Sequence, residues 1–222
     1  MFNNGDLYCG AMRITKFGHA CVRLETDGHV IVLDPGAFTE PEAVDGATAV
    51  LITHEHADHY SADHLRRTDA PIHTIGDVAA VIREEAPDVA ERIQLVTPGQ
   101  SVDVGVPTTA VGEDHAVIHP DIPRIHNSGY LLEVEGTRIY HPGDALTLPD
   151  GDIDLLLLPV SAPWLKASEC IDFARASHAP RLMAIHDKIY SDFGLGFLAS
   201  LLGGLLDEQE QSYVRIEPGQ DL

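Results

Sequence analysis

The sequence predicts an α/β (α+β) chain built as two packed β-sheets flanked by helix layers, and three observations carry that reading. Segments of strand and helix character alternate in β-rich halves with helices to cover them, an order that suits packed layers. Ala49-Val50-Leu51-Ile52 and Asp154-Leu155-Leu156-Leu157-Leu158-Pro159-Val160 are short continuous apolar runs, as expected of strands buried on both faces. A chain of 222 residues with 44% apolar and 22% charged residues has the composition of a globular protein and the length for one sizeable core. The expected domain is 12–222, preceded by a poorly specified extension over 1–11, with Met12 an alternative start.

Taken in order, residues 12–34 read as two or three strands, with Thr26-Asp27-Gly28 as a hairpin turn before the return strand His29–Leu33. Residues 35–48 form a Pro/Gly-punctuated loop. After the Ala49–Ile52 strand, Ser61 is placed to cap a short helix, and Asp77–Arg83 has helical spacing that breaks at Pro87 and resumes over Asp88–Arg92. Gln94–Val96, Ser101–Val104 and Thr108–Val111 have strand character, and Ser128–Val134 with Thr137–Tyr140 make a second hairpin. A helix is expected over Ala167–Ser177 and a last core strand over Arg181–Ile185. Phe193–Leu206 is markedly apolar but, at 14 residues, too short to span a bilayer. It is expected to pack as a helix on the sheet, with docking to a membrane or partner the alternative. Tyr213–Gly219 reads as a final edge strand.

The chemistry concentrates in His54-Glu55-His56-Ala57-Asp58-His59, directly after the first apolar run. His54 and His56 stand two apart and face one side of an extended segment, while Asp58 and His59 can reach a second point beyond a bend. Imidazoles are the commonest protein metal ligands, and a mixed histidine/carboxylate set suits zinc, manganese or iron. The chain has 13 histidines, so some clustering arises by chance, but this pattern at a strand end is demanding. Further along, His115, His119 and His126 compete as a third donor. Gly143 allows a tight turn that projects Asp144 inward, and one carboxylate can bridge two cations. Asp34 ends its strand where it can accept a ligand histidine's free N–H. His186 closes the last core strand.

Gly18-His19-Ala20, Val30–Gly36 with its Asp34-Pro35-Gly36 end, the hexapeptide, Tyr140-His141-Pro142-Gly143-Asp144 and Ala184-Ile185-His186 occur in an order that resembles the metallo-β-lactamase-fold superfamily. Among its subfamilies, the chain is most similar to the compact metal-dependent hydrolase group related to the ascorbate-phosphate lactonases. The resemblance implies a four-layer αβ/βα sandwich with metals at one edge. It implies that His54, His56 and His115 hold one metal and Asp58, His59 and His186 the other, with Asp144 bridging. Asp58 and His59 count as catalytic as well as ligating, and His19, Asp34, His126 and His141 as near-site or second-layer residues. The implied cofactors are two divalent ions, zinc first, with manganese or iron as alternatives. A metal-bound hydroxide at such a binuclear centre would cleave a small ester, lactone or phosphodiester.

The formal net charge of −21 and the lack of any basic run argue against nucleic acid as substrate. A small molecule is the expected substrate, and homo-oligomerisation stays open. Cys9, Cys21 and Cys170 form no CxxC pair and favour a reducing, cytoplasmic location. No signal peptide or transmembrane segment is indicated. Two other readings remain. One is a mononuclear iron oxidoreductase of the persulfide dioxygenase kind on the same fold, and the other a noncatalytic metal- or partner-binding protein.

Overall fold

The computed structural model describes residues 12–222; the extension over 1–11 and the alternative start next to it concern residues outside or at the edge of this range. Residues β1 (Arg13–Lys16), β2 (Val22–Thr26), β3 (His29–Leu33), β4 (Ala49–Ile52), β5 (Ile72–Thr74) and β6 (Ile93–Leu95) form a first sheet in sequential order. The second sheet runs β7 (Ser101–Asp103), β8 (Pro107–Val111), β9 (Gly129–Val134), β10 (Thr137–His141), β11 (Leu155–Pro159), β12 (Arg181–Ile185) and β13 (Ser212–Val214). A two-residue strand, β14 (Gln220–Asp221), pairs with β1 and closes the outer edge of the first sheet. The expected single tail strand is therefore two strands on different sheets, because the chain crosses from β12 back to β1 within a few residues.

The period of two along each strand decides the layers. Leu155, Leu157, Met183 and Ile185 belong to the large core shared by both sheets, together with Leu24, Ile31 and Ile52 of the first. Leu156, Leu158, Leu182 and Ala184 face the other way, under α3 (Ala167–Ser177) and α4 (Asp192–Leu206). The first sheet is covered by α1 (Ala62–Arg66), α2 (Gly76–Glu85) and a 3-10 turn at Pro41–Val44, whose buried side chains Leu65, Val78, Ile82 and Val44 meet it. The result is the helix–sheet–sheet–helix sandwich expected from the sequence.

Local details depart from expectation at three points. Ser61 occupies the cap position of α1 but its side chain makes no capping bond. The segment after Pro87 continues as a 3-10 helix over Pro87–Arg92. In α4, Leu195, Leu198, Leu202 and Leu206 are buried, whereas Phe193 is 86% exposed and Phe197 and Leu205 also face solvent. The helix thus packs by one stripe only. No helix among the described residues is long and apolar enough to cross a membrane.

Two buried polar contacts tie the sheets to each other. Tyr130 of β9 donates its hydroxyl to the carbonyls of Ile52 (3.1 Å) and His73 (3.2 Å) in the first sheet. Lys16 of β1 is completely buried and donates Nζ to the Phe17 carbonyl (3.0 Å) and to Asp187 (3.1 Å), just past β12. Burial pulls the Lys16 pKa down, and the Asp187 carboxylate opposes that pull. Arg215 lies 3.2 Å from the other oxygen of Asp187. Removing one member of a buried ion pair strands the other charge and costs about 3–5 kcal/mol. Lys16→Met is expected to fall at the low end, about 3 kcal/mol, because Arg215 still serves Asp187; an unchanged denaturation midpoint would show that the pair contributes nothing.

Candidate metal centre

Each candidate side chain leaves the carboxyl end of a strand or the loop beyond it: Asp34 after β3, His54 to His59 after β4, His115 after β8, Asp144 after β10 and His186 after β12. Because β3 and β4 run parallel, as do β10, β11 and β12, these ends gather at one edge of the sandwich. His19 enters from the β1–β2 turn. Tight backbone approaches hold the loops there. A Cβ on Gly36 would lie 1.9 Å from the Asp58 carbonyl oxygen, and one on Gly143 (φ +61°) 2.3 Å from Asn127 Oδ1. His19, Asp34 and His186 hold left-handed backbone at φ 62°, 46° and 56°, a conformation that costs about 1–3 kcal/mol and persists only where its surroundings enforce it.

The donor atoms fall into two groups: His54, His56, His115 and Asp144 in one, and His19, Asp58, His59 and His186 in the other. Asp144 stands between them. Its Oδ1 lies 3.0 Å from His59 Nε2 and 3.2 Å from His186 Nε2, and its Oδ2 lies 3.4 Å from His115 Nε2 and 3.9 Å from His54 Nε2. His54 Nε2 and His56 Nδ1 are 3.1 Å apart, and Asp58 Oδ2 is 3.4 Å from His186 Nε2. Four ligands on a tetrahedral zinc at 2.0–2.1 Å sit about 3.3–3.4 Å from one another, so these spacings suit a cation in each group.

The hydrogen bonds on the far side of each ring sharpen the point. His59 Nδ1 contacts Asp34 (2.7 Å), His115 Nδ1 the Ala116 carbonyl (2.6 Å), and His186 Nδ1 the Ser161 carbonyl. These partners are acceptors, so each Nδ1 carries the hydrogen and, in the neutral ring, each Nε2 presents a lone pair. Thr53 donates its hydroxyl to Asp34 (2.7 Å) and accepts from His54 Nδ1 (3.0 Å), which leaves His54 Nε2 in the same state. His59, His115 and His186 Nε2 and Asp144 Oδ1 are buried with no hydrogen-bond partner among the described residues. Lone pairs facing carboxylate oxygens repel unless a positive charge stands between them.

Charge placement agrees. Burial opposes ionisation of Asp144, but His59 and His186 outweigh it and hold the carboxyl well below its usual range. Burial likewise opposes a charge on His186, yet Asp144 and Asp58 push it up to about 9, and Asp144 and Asp34 hold His59 well above its ordinary value. Without a cation, protons stand in for it.

His19 behaves differently. Its Nδ1 accepts the Lys188 N–H (3.2 Å), so in the neutral ring Nε2 carries the hydrogen and donates to Asp58 Oδ2 (3.0 Å). Burial lowers its pKa to about 4 and keeps the ring neutral. It therefore orients Asp58. His141 is also buried and spoken for: it donates Nε2–H to the Ala20 carbonyl (2.9 Å) and accepts the Gly143 N–H (3.1 Å), bracing the turn before Asp144. The expectation for His126 needs correction. Its ring is exposed, pairs with Asp77 (2.6 Å), and does not join the clustered donors, because the bridge to Asp114 turns it away from His115. His119 is exposed in the same loop.

Sequence reasoning missed Thr53, Asn127, Ser161 and Trp164. Asn127 accepts the Asp144 N–H (3.0 Å) and donates to the Pro142 carbonyl (2.9 Å), and Trp164 donates Nε1–H to Asp144 Oδ2 (2.9 Å). The only signal for Trp164 in the sequence is its position in the loop after β11; Lys166 in the same loop is exposed and pairs with Glu169.

A family model described as a β-lactamase superfamily domain matches residues 13–186. Protein Rv0786c of Mycobacterium tuberculosis is 38% identical over 188 residues, covering 80% of this chain and 85% of that protein. The UPF0173 metal-dependent hydrolase of Thermococcus kodakarensis is 30% identical over 67% of this chain and 72% of its own length. Among solved structures, Igni18, a metallo hydrolase from Ignicoccus hospitalis, superposes with a TM-score of 0.70 at 19% identity, over 95% of this chain and 97% of that one.

Two outcomes are expected. Trp164→Phe should weaken cation affinity by about 10–100-fold with the fold intact. Trp164 is the single tryptophan, so fluorescence of the unaltered protein should change during a zinc titration; no change would separate the indole from the centre. Cation uptake should also release protons and tighten as pH rises from 7 toward about 9, because His186 is protonated below that value. Calorimetry in two buffers of different ionisation enthalpy measures the release.

Proposed function

Because the chain belongs to the metallo-β-lactamase superfamily, we propose that it is a metal-dependent hydrolase that holds two divalent cations and cleaves a small ester, lactone or phosphodiester. The observation that carries this reading is the convergence of the buried Nε2 atoms of His59, His115 and His186 to 3.0, 3.4 and 3.2 Å from Asp144. In this reading His54, His56, His115 and Asp144 Oδ2 hold one cation, and Asp58, His59, His186 and Asp144 Oδ1 the other. Zinc is the first candidate, with manganese or iron next, since histidine and carboxylate donors suit all three. Bound there, the cations would acidify a water and polarise the electrophile.

The protein's own part is positioning. Asp34, Thr53, Ser161 and the Ala116 carbonyl fix ring orientation, Asn127 and Trp164 fix Asp144, and His19 fixes Asp58. No serine or cysteine nucleophile is required. Cys21 and Cys170 are both buried, and burial holds their thiols well above the usual range.

Elemental analysis of protein purified without added metal or chelator tests the reading. About two equivalents of zinc or manganese are expected, with hydrolysis of lactone or phosphodiester panels. One equivalent of iron would favour the oxidoreductase alternative. His56→Ala and Asp144→Ala should each lose metal and activity while keeping native circular dichroism; full metal content in both would overturn the ligand assignment.

A further inference from the structure

The loop between β8 and β9 carries a feature that the metal chemistry does not use. It is pinned at its neck, where His115 N–H donates to the Ile125 carbonyl (3.0 Å) and Ala116 N–H to the Asp144 carbonyl (2.7 Å). Beyond the neck, Val117, Ile118, Ile122, Pro123 and Ile125 line a recess of about 70 Å³ whose other wall includes His56 and His115. Val117, Ile118 and Ile122 are 54%, 37% and 50% exposed. Large aliphatic side chains left in water as a group, on a chain of net charge −21, call for a ligand.

The charge at this recess is already matched. Arg124 is the one cation lining it among the described residues. Its Nη1 lies 3.0 Å from Asp114 and its Nε donates to the His115 carbonyl (2.6 Å). On the loop side of the recess, away from His56 and His115, no unpaired cation among the described residues would greet an anionic group, whereas an uncharged aliphatic group gains by leaving water.

We propose that the recess receives a short aliphatic acyl tail, and that the substrate is a neutral carboxylic ester or lactone whose carbonyl lies beside His56 and His115. This narrows the hydrolase reading above and rests on it. The reaction is redox-neutral. The water oxygen bonds the acyl carbon, the acyl C–O bond breaks with its electron pair going to the alcohol oxygen, and that oxygen takes one water proton while the new carboxyl group releases the other.

The test is calorimetric titration of the zinc-reconstituted full chain with straight-chain alkyl hydroxamates, from acetohydroxamate through butano- to hexanohydroxamate. Affinity should rise at least about tenfold along the series, and kcat/KM for nitrophenyl esters should rise with acyl length in the same order. The Ile118→Ser/Ile122→Ser double variant should keep its zinc content and lose that gradient. Equal affinities along the series, or a gradient that survives in the double variant, would overturn the acyl-tail assignment while the hydrolase reading stands. A chain that retains no cation and binds no hydroxamate would remove the hydrolase reading, and the assignment with it.

Discussion

Asp144 is almost fully buried at the seam between two sheets, and a buried carboxylate is tolerated only where positive charge and hydrogen-bond donors surround it. The surroundings of this residue meet that demand from both sides. Trp164 serves one oxygen, Asn127 holds the backbone, and four histidine rings aim their Nε2 atoms at the two oxygens. Gly143 makes the turn that delivers the carboxylate, since a side chain there would strike Asn127 and Thr53. Moving Asp144 would leave several buried polar atoms uncompensated at once.

The imidazoles depend on the same logic one layer out. A histidine is a lone-pair donor at Nε2 only if Nδ1 holds the hydrogen, and that tautomer is selected by an acceptor behind the ring. The chain supplies the acceptor from a carboxylate for His59, a hydroxyl for His54 and backbone carbonyls for His115 and His186. Backbone acceptors tie ring orientation to the path of the chain. That is why the left-handed conformations of His19 and His186 matter: His186 N–H donates to the His19 carbonyl (3.0 Å), locking the two turns together.

The two sheets contribute unequal halves. The first brings the hexapeptide and Asp34, and the second brings His115, Asp144, His186 and their supports. Neither half can assemble the centre alone, so contacts that fix one sheet against the other have functional weight. Tyr130 and the Lys16–Asp187 pair are such contacts, and Asp187 follows His186 directly in the chain. The aliphatic recess also lies on this seam, with His56 from one sheet and the β8–β9 loop from the other.

Features written in short-range pattern could be read without coordinates. The apolar run around Leu155–Leu158, the helix Ala167–Ser177, the last core strand Arg181–Ile185 and the hexapeptide's density of donors are local statements, and the structure has these elements at those residues. Burial on both faces or a capped helix leaves a mark in neighbouring residues. The three-residue strand β5 leaves none, since Ile72–Thr74 is too short for a period to show. The division of the tail between two sheets was equally invisible, as was the outward turn of His126 toward Asp77, 49 positions away. Trp164 and Asn127 stand 20 and 17 positions from Asp144. Residue type and spacing decide which groups are able to bind a cation. Which nitrogen of each ring faces inward and which carboxylate stands between the two donor groups depend on partners distant in the chain, and only packing brings those together.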